Sequence, residues 1–175
     1  RWLWKVLRYW GINTATEGGR KLNVLEMGTS LGITTAYLSA SGCHVETWEG
    51  CQNTTDLARR NWKELGLEEN IVSKVGKFEG LLKSSSGGWD MVFLDGHHDG
   101  EATLIYVEQM KSKLGKGGCV LVDDVTWSKG MKMAWRTLLD DPYWNVTVRW
   151  RGKGWLFHID GAVEQHIALS CVFKF

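Results

Sequence analysis

From Leu22 to Leu139, short apolar runs alternate with amphipathic stretches of helical length. That is the pattern of strand and crossover helix repeating in a parallel sheet with helices on both faces. Strands are predicted over Leu22–Met27, His44–Glu49, Ile71–Val75, Trp89–Leu94 and Cys119–Asp123, and helices near Gly32–Ala40, Thr54–Leu65, Glu79–Leu82, Glu101–Leu114 and Ser128–Leu139. Breakers fall between them: Ser41-Gly42 closes the first helix, Ser84 to Gly88 is a polar loop, and Gly115-Lys116-Gly117-Gly118 stops a helix before the fifth strand. Beyond Pro142 the period changes. Val146–Trp150, a turn with glycines at Arg151-Gly152-Lys153-Gly154, and Trp155–Ile159 read as a hairpin, and Ile167–Phe175 alternates enough for a further edge strand. The expected class is α/β, a doubly wound, mostly parallel sheet. Without repeats, linkers or low-complexity tracts, residues 1–175 read as one domain.

Composition narrows the partners. Lysine plus arginine number 21 against 20 aspartate plus glutamate, which removes the electrostatic case for a nucleic-acid or anionic-membrane binder and favours a small neutral or zwitterionic ligand. No apolar run is long enough to span a bilayer. The four cysteines, Cys43, Cys51, Cys119 and Cys171, form no CxxC pair and show no zinc-type spacing, so reduced thiols and a cytoplasmic setting are expected. Eleven tryptophans are scattered along the chain, and Trp2, Trp4 and Trp10 make an apolar N-terminal segment that invites a partner chain, such as a second copy in a homodimer, a missing lid or a substrate.

In an open parallel sheet, ligands bind beyond the carboxyl ends of the strands, and those ends are polar here. Strand one runs Val24-Leu25-Glu26-Met27 into a turn, Gly28-Thr29-Ser30-Leu31-Gly32, whose glycines allow a tight bend and a close ligand. Strand two ends at Glu49, 21 residues after Gly28, where a carboxylate can accept from both hydroxyls of a ribose. Strand four ends at Asp95-Gly96-His97-His98 and strand five at Asp123-Asp124. The positions of a GxGxxG fingerprint hold Gly28, Ser30 and Ile33, and no GK[S/T] loop is present. Dinucleotides and nucleoside triphosphates are thereby disfavoured, which leaves an adenosine ligand without phosphates.

Four segments, Val24–Gly32, Thr47-Trp48-Glu49-Gly50, Trp89–His98 and Gly117–Val125, together resemble the class I S-adenosylmethionine-dependent methyltransferases, and more narrowly the O-methyltransferases related to catechol O-methyltransferase. The resemblance spans roughly Leu22 to Phe157. It implies a Rossmann-like methyltransferase fold of seven strands in the order 3-2-1-4-5-7-6, and S-adenosylmethionine as cofactor. Glu26 with Gly28, Thr29, Ser30 and Gly32 would meet the amino-acid end of that cofactor, Glu49 and Gly50 the ribose, Phe78 the adenine, and Asp95 would border it.

In metal-dependent members of that family, ligands match Asp95, Asp123 and Asp124, a set suited to an oxygen-loving cation such as Mg²⁺. Where the catechol enzymes place a lysine base after the first acid, this chain has histidine, so Asp95 and His98 are the catalytic candidates, with His98 as a base in a metal-independent scheme. The family has longer N-terminal helices, whereas 21 residues precede the first strand here, which leaves three readings of residues 1–21 open: a truncated lid, a lid supplied by another subunit, or an exposed site for a large acceptor. The leading expectation is O-methylation of a small hydroxylated acceptor. The rival is a non-catalytic adenosine-binding scaffold that meets a partner through its tryptophan-rich N-terminal face.

Overall fold

The computed structural model describes residues 20–169. Trp2, Trp4, Trp10, nearly all of the expected lid segment and residues 170–175 of the expected tail strand lie outside them. In chain order the elements are β1 (Asn23–Met27), α1 (Ile33–Ala40), β2 (His44–Glu49), α2 (Gln52–Glu64), a 3₁₀ turn (Glu68–Asn70), β3 (Ile71–Val75) and α3 (Phe78–Ser84). There follow β4 (Trp89–Leu94), α4 (Gly100–Met110), β5 (Leu114–Val122), α5 (Lys129–Leu139), β6 (Val146–Trp150), β7 (Lys153–Phe157) and β8 (Gln165–Leu169).

One sheet holds all the strands in the order β3-β2-β1-β4-β5-β7-β6-β8. β1 to β5 run parallel, β7 is antiparallel to both β5 and β6, and β8 is parallel to β6. The expected seven-strand order is therefore present and extended to eight by the edge strand β8, which starts two residues earlier than its alternation suggests because the Gln165 N–H donates to Asn145 O at 2.8 Å.

Strand residues alternate between two cores, as the two-residue period of a pleated strand requires. Leu25, Met27, Trp48, Val92, Leu94, Val120 and Val122 face one layer, against Tyr106 of α4 and Trp135 of α5. Val24, Val45, Met91, Phe93, Cys119 and Leu121 face the other, against Leu38 of α1 and Trp155. All six residues of β4 are buried, which suits the apolar run Met91–Leu94, while the buried Asp90 accepts from Arg20 and from Asn23 N.

The glycine run at 115–118 corrects one expectation. α4 ends at Met110, and the run lies inside β5, where Leu114 pairs with Trp89 and the register then shifts before Met91 pairs with Cys119. A Cβ on Gly118 would come within 2.9 Å of the backbone oxygens of both Gly115 and Trp89. These glycines serve a strand irregularity, where backbones approach closely, and not a helix stop.

The hairpin joining β6 and β7 turns through Arg151 (φ 48°) and Gly152 (φ 78°), both left-handed. That is the two-residue turn whose twist matches its strands. β7 is clamped from its flank: a Cβ on Gly154 would lie 2.3 Å from the Trp135 ring of α5. Gly154→Ala should overpack this contact and cost about 1–3 kcal/mol, read as a lower urea midpoint with an unchanged slope; an unchanged midpoint would contradict the close packing of α5 on β7.

Candidate active site

The carboxyl ends of the parallel strands hold a concentration of unusual backbone. Ser30 (φ 48°), His97 (φ 67°), His98 (φ 23°) and Asp124 (φ 53°) all have left-handed φ without being glycine, and each lies just beyond β1, β4 or β5. Such conformations are costly and gather where a site dictates the chain path.

The glycine turn is built differently from its sequence reading. Gly28 (φ 113°) donates its N–H to Trp48 O at 2.9 Å, and a Cβ there would lie 2.3 Å from the carbonyl oxygen of Asp95. Gly32 caps α1 in a left-handed conformation, and a Cβ there would meet the Trp62 indole at 2.4 Å, whose Nε1 donates to Gly32 O at 2.8 Å. A side chain at either position would collide with protein, the Asp95 backbone in one case and the Trp62 ring in the other. Gly50 is the contrasting case: a Cβ there would meet no protein atom within 4 Å.

Beneath the turn, Glu26 is fully buried. Its Oε2 accepts from the Thr35 hydroxyl of α1 and from Thr47 Oγ1 of β2 at 2.6 Å, and Thr29 Oγ1 lies 2.6 Å from Thr47 Oγ1. Oε1 is buried with no partner among the described residues. Burial pushes the Glu26 carboxyl up to about 7, against the pull of the two threonine hydroxyls and helped by the charge of Asp95.

Glu49 is half-buried at the end of β2. Its Oε2 accepts from Ser30 N at 3.0 Å and its Oε1 from Cys51 N at 3.1 Å. The carboxylate is thus fixed between the glycine turn and the start of α2, and each oxygen retains a lone pair. Beside it opens a pocket of about 370 Å³ lined by Gly50, Gly76, Phe78, Glu79, His97 and Tyr106. Phe78 packs edge-on to Tyr106, with centroids 5.7 Å apart. The Tyr106 hydroxyl donates to Glu79 Oε1 at 2.7 Å and lies 3.1 Å from His97 Nδ1. Burial and the Glu79 carboxylate raise the Tyr106 phenol, which stays neutral.

Across β1 from this pocket stand the acids of β4 and β5. The Asp95 N–H extends the ladder to Met27 O and the Asp123 N–H to Leu94 O, both at 2.9 Å. Burial, then the neighbouring Asp123, pushes the Asp95 carboxyl up to about 6, while Lys153 and His98 pull it down. His98 Nε2 lies 3.8 Å from Asp95 Oδ1. Lys153 Nζ lies 2.5 Å from each Asp123 carboxylate oxygen, and Asp123 Oδ1 also accepts from Asp124 N at 2.7 Å.

Among the described residues, no three His, Cys, Asp or Glu side chains converge at metal-binding spacing. Asp95, Asp123 and Asp124 share one end of the sheet but are not gathered as a ligand set. Sequence reasoning missed Lys153, whose relevance depends on β7 lying antiparallel beside β5. It missed the Thr35–Glu26–Thr47 bonds and the Glu79–Tyr106–His97 chain for a similar reason, since both join residues from separate elements.

A family model described as a methyltransferase domain matches residues 25–125, from β1 to the loop after β5. The chain belongs to this methyltransferase family. No curated protein matches it in sequence. Among solved structures, cofactor-bound Rv0187 from MTB superposes with a TM-score of 0.72 at 19% identity, over 88% of this chain and 79% of that one. The O-methyltransferase from Bacillus cereus in complex with SAH gives 0.65 at 20%, over 87% and 79%. A precorrin 8w decarboxylase from Methanobacterium thermoautotrophicum gives 0.62 at 18%, over 86% and 87%. The methyltransferase fold is thereby shown, and the decarboxylase makes plain that the fold alone does not choose a reaction.

The buried Glu26 has a consequence for stability. The folded protein holds its proton more tightly than the unfolded chain, so its contribution is complete below an unfolded pKa of about 4.3. That contribution is lost as pH rises through about 7. Replacing Glu26→Gln should remove roughly 3 kcal/mol of this pH dependence, measured by urea unfolding at pH 5 and pH 8. Equal pH dependence in both proteins would show that Glu26 is ionised when folded.

Proposed function

We propose that the protein is an S-adenosylmethionine-dependent O-methyltransferase acting on a small hydroxylated acceptor. The observation that carries this reading is the pocket at the strand ends, lined by Gly50, Phe78 and His97 beside the fixed Glu49 carboxylate, in a chain of a methyltransferase family. The B. cereus enzyme that shares the fold was solved with SAH, and an O-methyltransferase from Streptomyces achromogenes, TM-score 0.67, was solved with SAM.

The residues present fit that cofactor. Glu49 offers a lone pair on each oxygen to a ribose hydroxyl, Phe78 offers an aromatic wall to adenine, and Gly50 leaves open the space that a side chain would fill. The exposed Ser30 end of the turn and Asp95 border the amino-acid end. Glu26 acts from below, holding α1 and β2 in place through its two threonines.

Bound cofactor supplies an electrophilic methyl on a sulfonium. The acceptor hydroxyl must be held in line with it and lose its proton as the carbon–oxygen bond forms and the carbon–sulfur bond breaks, the electron pair of the broken bond remaining on sulfur. His98 is the base in this reading, oriented by Asp95, with the proton passing to the imidazole.

Gly50→Leu should abolish SAH binding in calorimetry while leaving the unfolding midpoint unchanged, because its backbone lies outside the left-handed region and its side chain enters only the pocket. Glu49→Ala should weaken SAH by about tenfold to a hundredfold, the value of charged hydrogen bonds worth about 1.5–3 kcal/mol. Full SAH affinity in Gly50→Leu would place the cofactor elsewhere.

A further inference from the structure

The strand-end acids already carry a cation of their own. Lys153 is the first residue of β7, which runs antiparallel to β5 with Val122 opposite Gly154, so Lys153 stands opposite Asp123 at the active end of the sheet. Backbone fixes it there: the Arg151-Gly152 turn is left-handed, and the Val125 N–H donates to Gly152 O at 2.8 Å. The pair is mostly shielded, the lysine side chain 25% exposed and the aspartate 12%.

We propose that the Lys153 ammonium is the resident cation of this acid cluster and that the protein takes no divalent ion there. A hard cation such as Mg²⁺ or Mn²⁺ needs several oxygen ligands converging at about 2.0–2.6 Å. Here both oxygens of Asp123 are engaged by Nζ at 2.5 Å, and Oδ1 also receives the Asp124 N–H. Asp124 follows with a left-handed φ of 53°, and among the described residues no third carboxylate or imidazole joins the pair at metal-binding spacing. The residues that would ligate a metal therefore do not fit one as they stand, and a metal entering beside Asp123 would meet a like charge. The positive charge beside Asp95 and His98 is single, permanent and independent of ion supply, and Lys153 is a positioning residue that holds Asp123 through charge.

This inference depends on the methyl-transfer reading only for its catalytic meaning, because ion binding is read with neither cofactor nor acceptor. Protein freed of metal by chelator is titrated with Mn²⁺, free ion being followed by electron paramagnetic resonance. Native protein should bind no stoichiometric Mn²⁺ up to millimolar concentration, and its unfolding midpoint should be the same with Mg²⁺ or with chelator. Lys153→Met should gain a site for one Mn²⁺, at least about tenfold tighter than any binding by native protein, and adding Asp123→Asn should remove that gain. Lys153→Arg, which keeps the charge, should behave as the native protein does. Stoichiometric Mn²⁺ binding by native protein that Asp123→Asn abolishes would overturn the proposal, even if Lys153→Met fails to fold. A folded Lys153→Met protein indifferent to Mn²⁺ would overturn the claim that the lysine fills a cation position.

Discussion

The active end depends on how closely the end of β1 approaches the end of β4. Gly28 passes over the carbonyl of Asp95 with no room for a Cβ, and the same turn is tied to β2 through Trp48 O. This one approach sets where Glu49, Asp95 and the loop carrying His97 and His98 come to rest, since each follows a strand directly paired to β1. Parallel pairing alone would align the strand ends. The glycine lets their loops cross at van der Waals distance and divides the surface into a pocket on the β2 side and an acid cluster on the β5 side.

Charge is distributed across that division by burial. On one side Glu49 remains half-exposed, with its carboxylate held by two backbone N–H groups, a geometry suited to receiving neutral hydroxyls. On the other, burial and then repulsion from the neighbouring Asp123 raise Asp95, and Lys153 moderates the rise. Between and below them lies Glu26, too deep for solvent, whose two threonine donors secure the helix and strand that carry the turn. These four acids differ in role because they differ in depth.

Much of this was legible in the sequence. The periods of β2, β3 and β4 gave their bounds residue for residue, and the acids that close β2, β4 and β5 lie at one end of the sheet, as parallel pairing requires. What failed had a common cause. The glycines of β5 have the local signature of a helix stop, and only a tertiary neighbour such as Trp89 O distinguishes them; the close approach of Gly28 to Asp95 O and of Gly32 to the Trp62 ring was hidden for the same reason. Lys153 was hidden in the same way, since a lysine after a hairpin turn is ordinarily solvated and becomes part of a site only when antiparallel pairing sets it opposite Asp123. Glu49 and Gly50 could be placed at a strand end from the sequence alone and Phe78 through the family resemblance, while the acid cluster needed a partner from a remote strand.

The central claim is that this strand-end surface binds S-adenosylmethionine and its product. The most direct measurement is the thermal unfolding midpoint of the protein with S-adenosylhomocysteine at about 100 times its dissociation constant, which should add about 2.7 kcal/mol of stability. For a domain of this size the account predicts a rise of about 5–10 °C. An unchanged midpoint at saturating ligand would contradict it and leave a methyltransferase fold without its cofactor site.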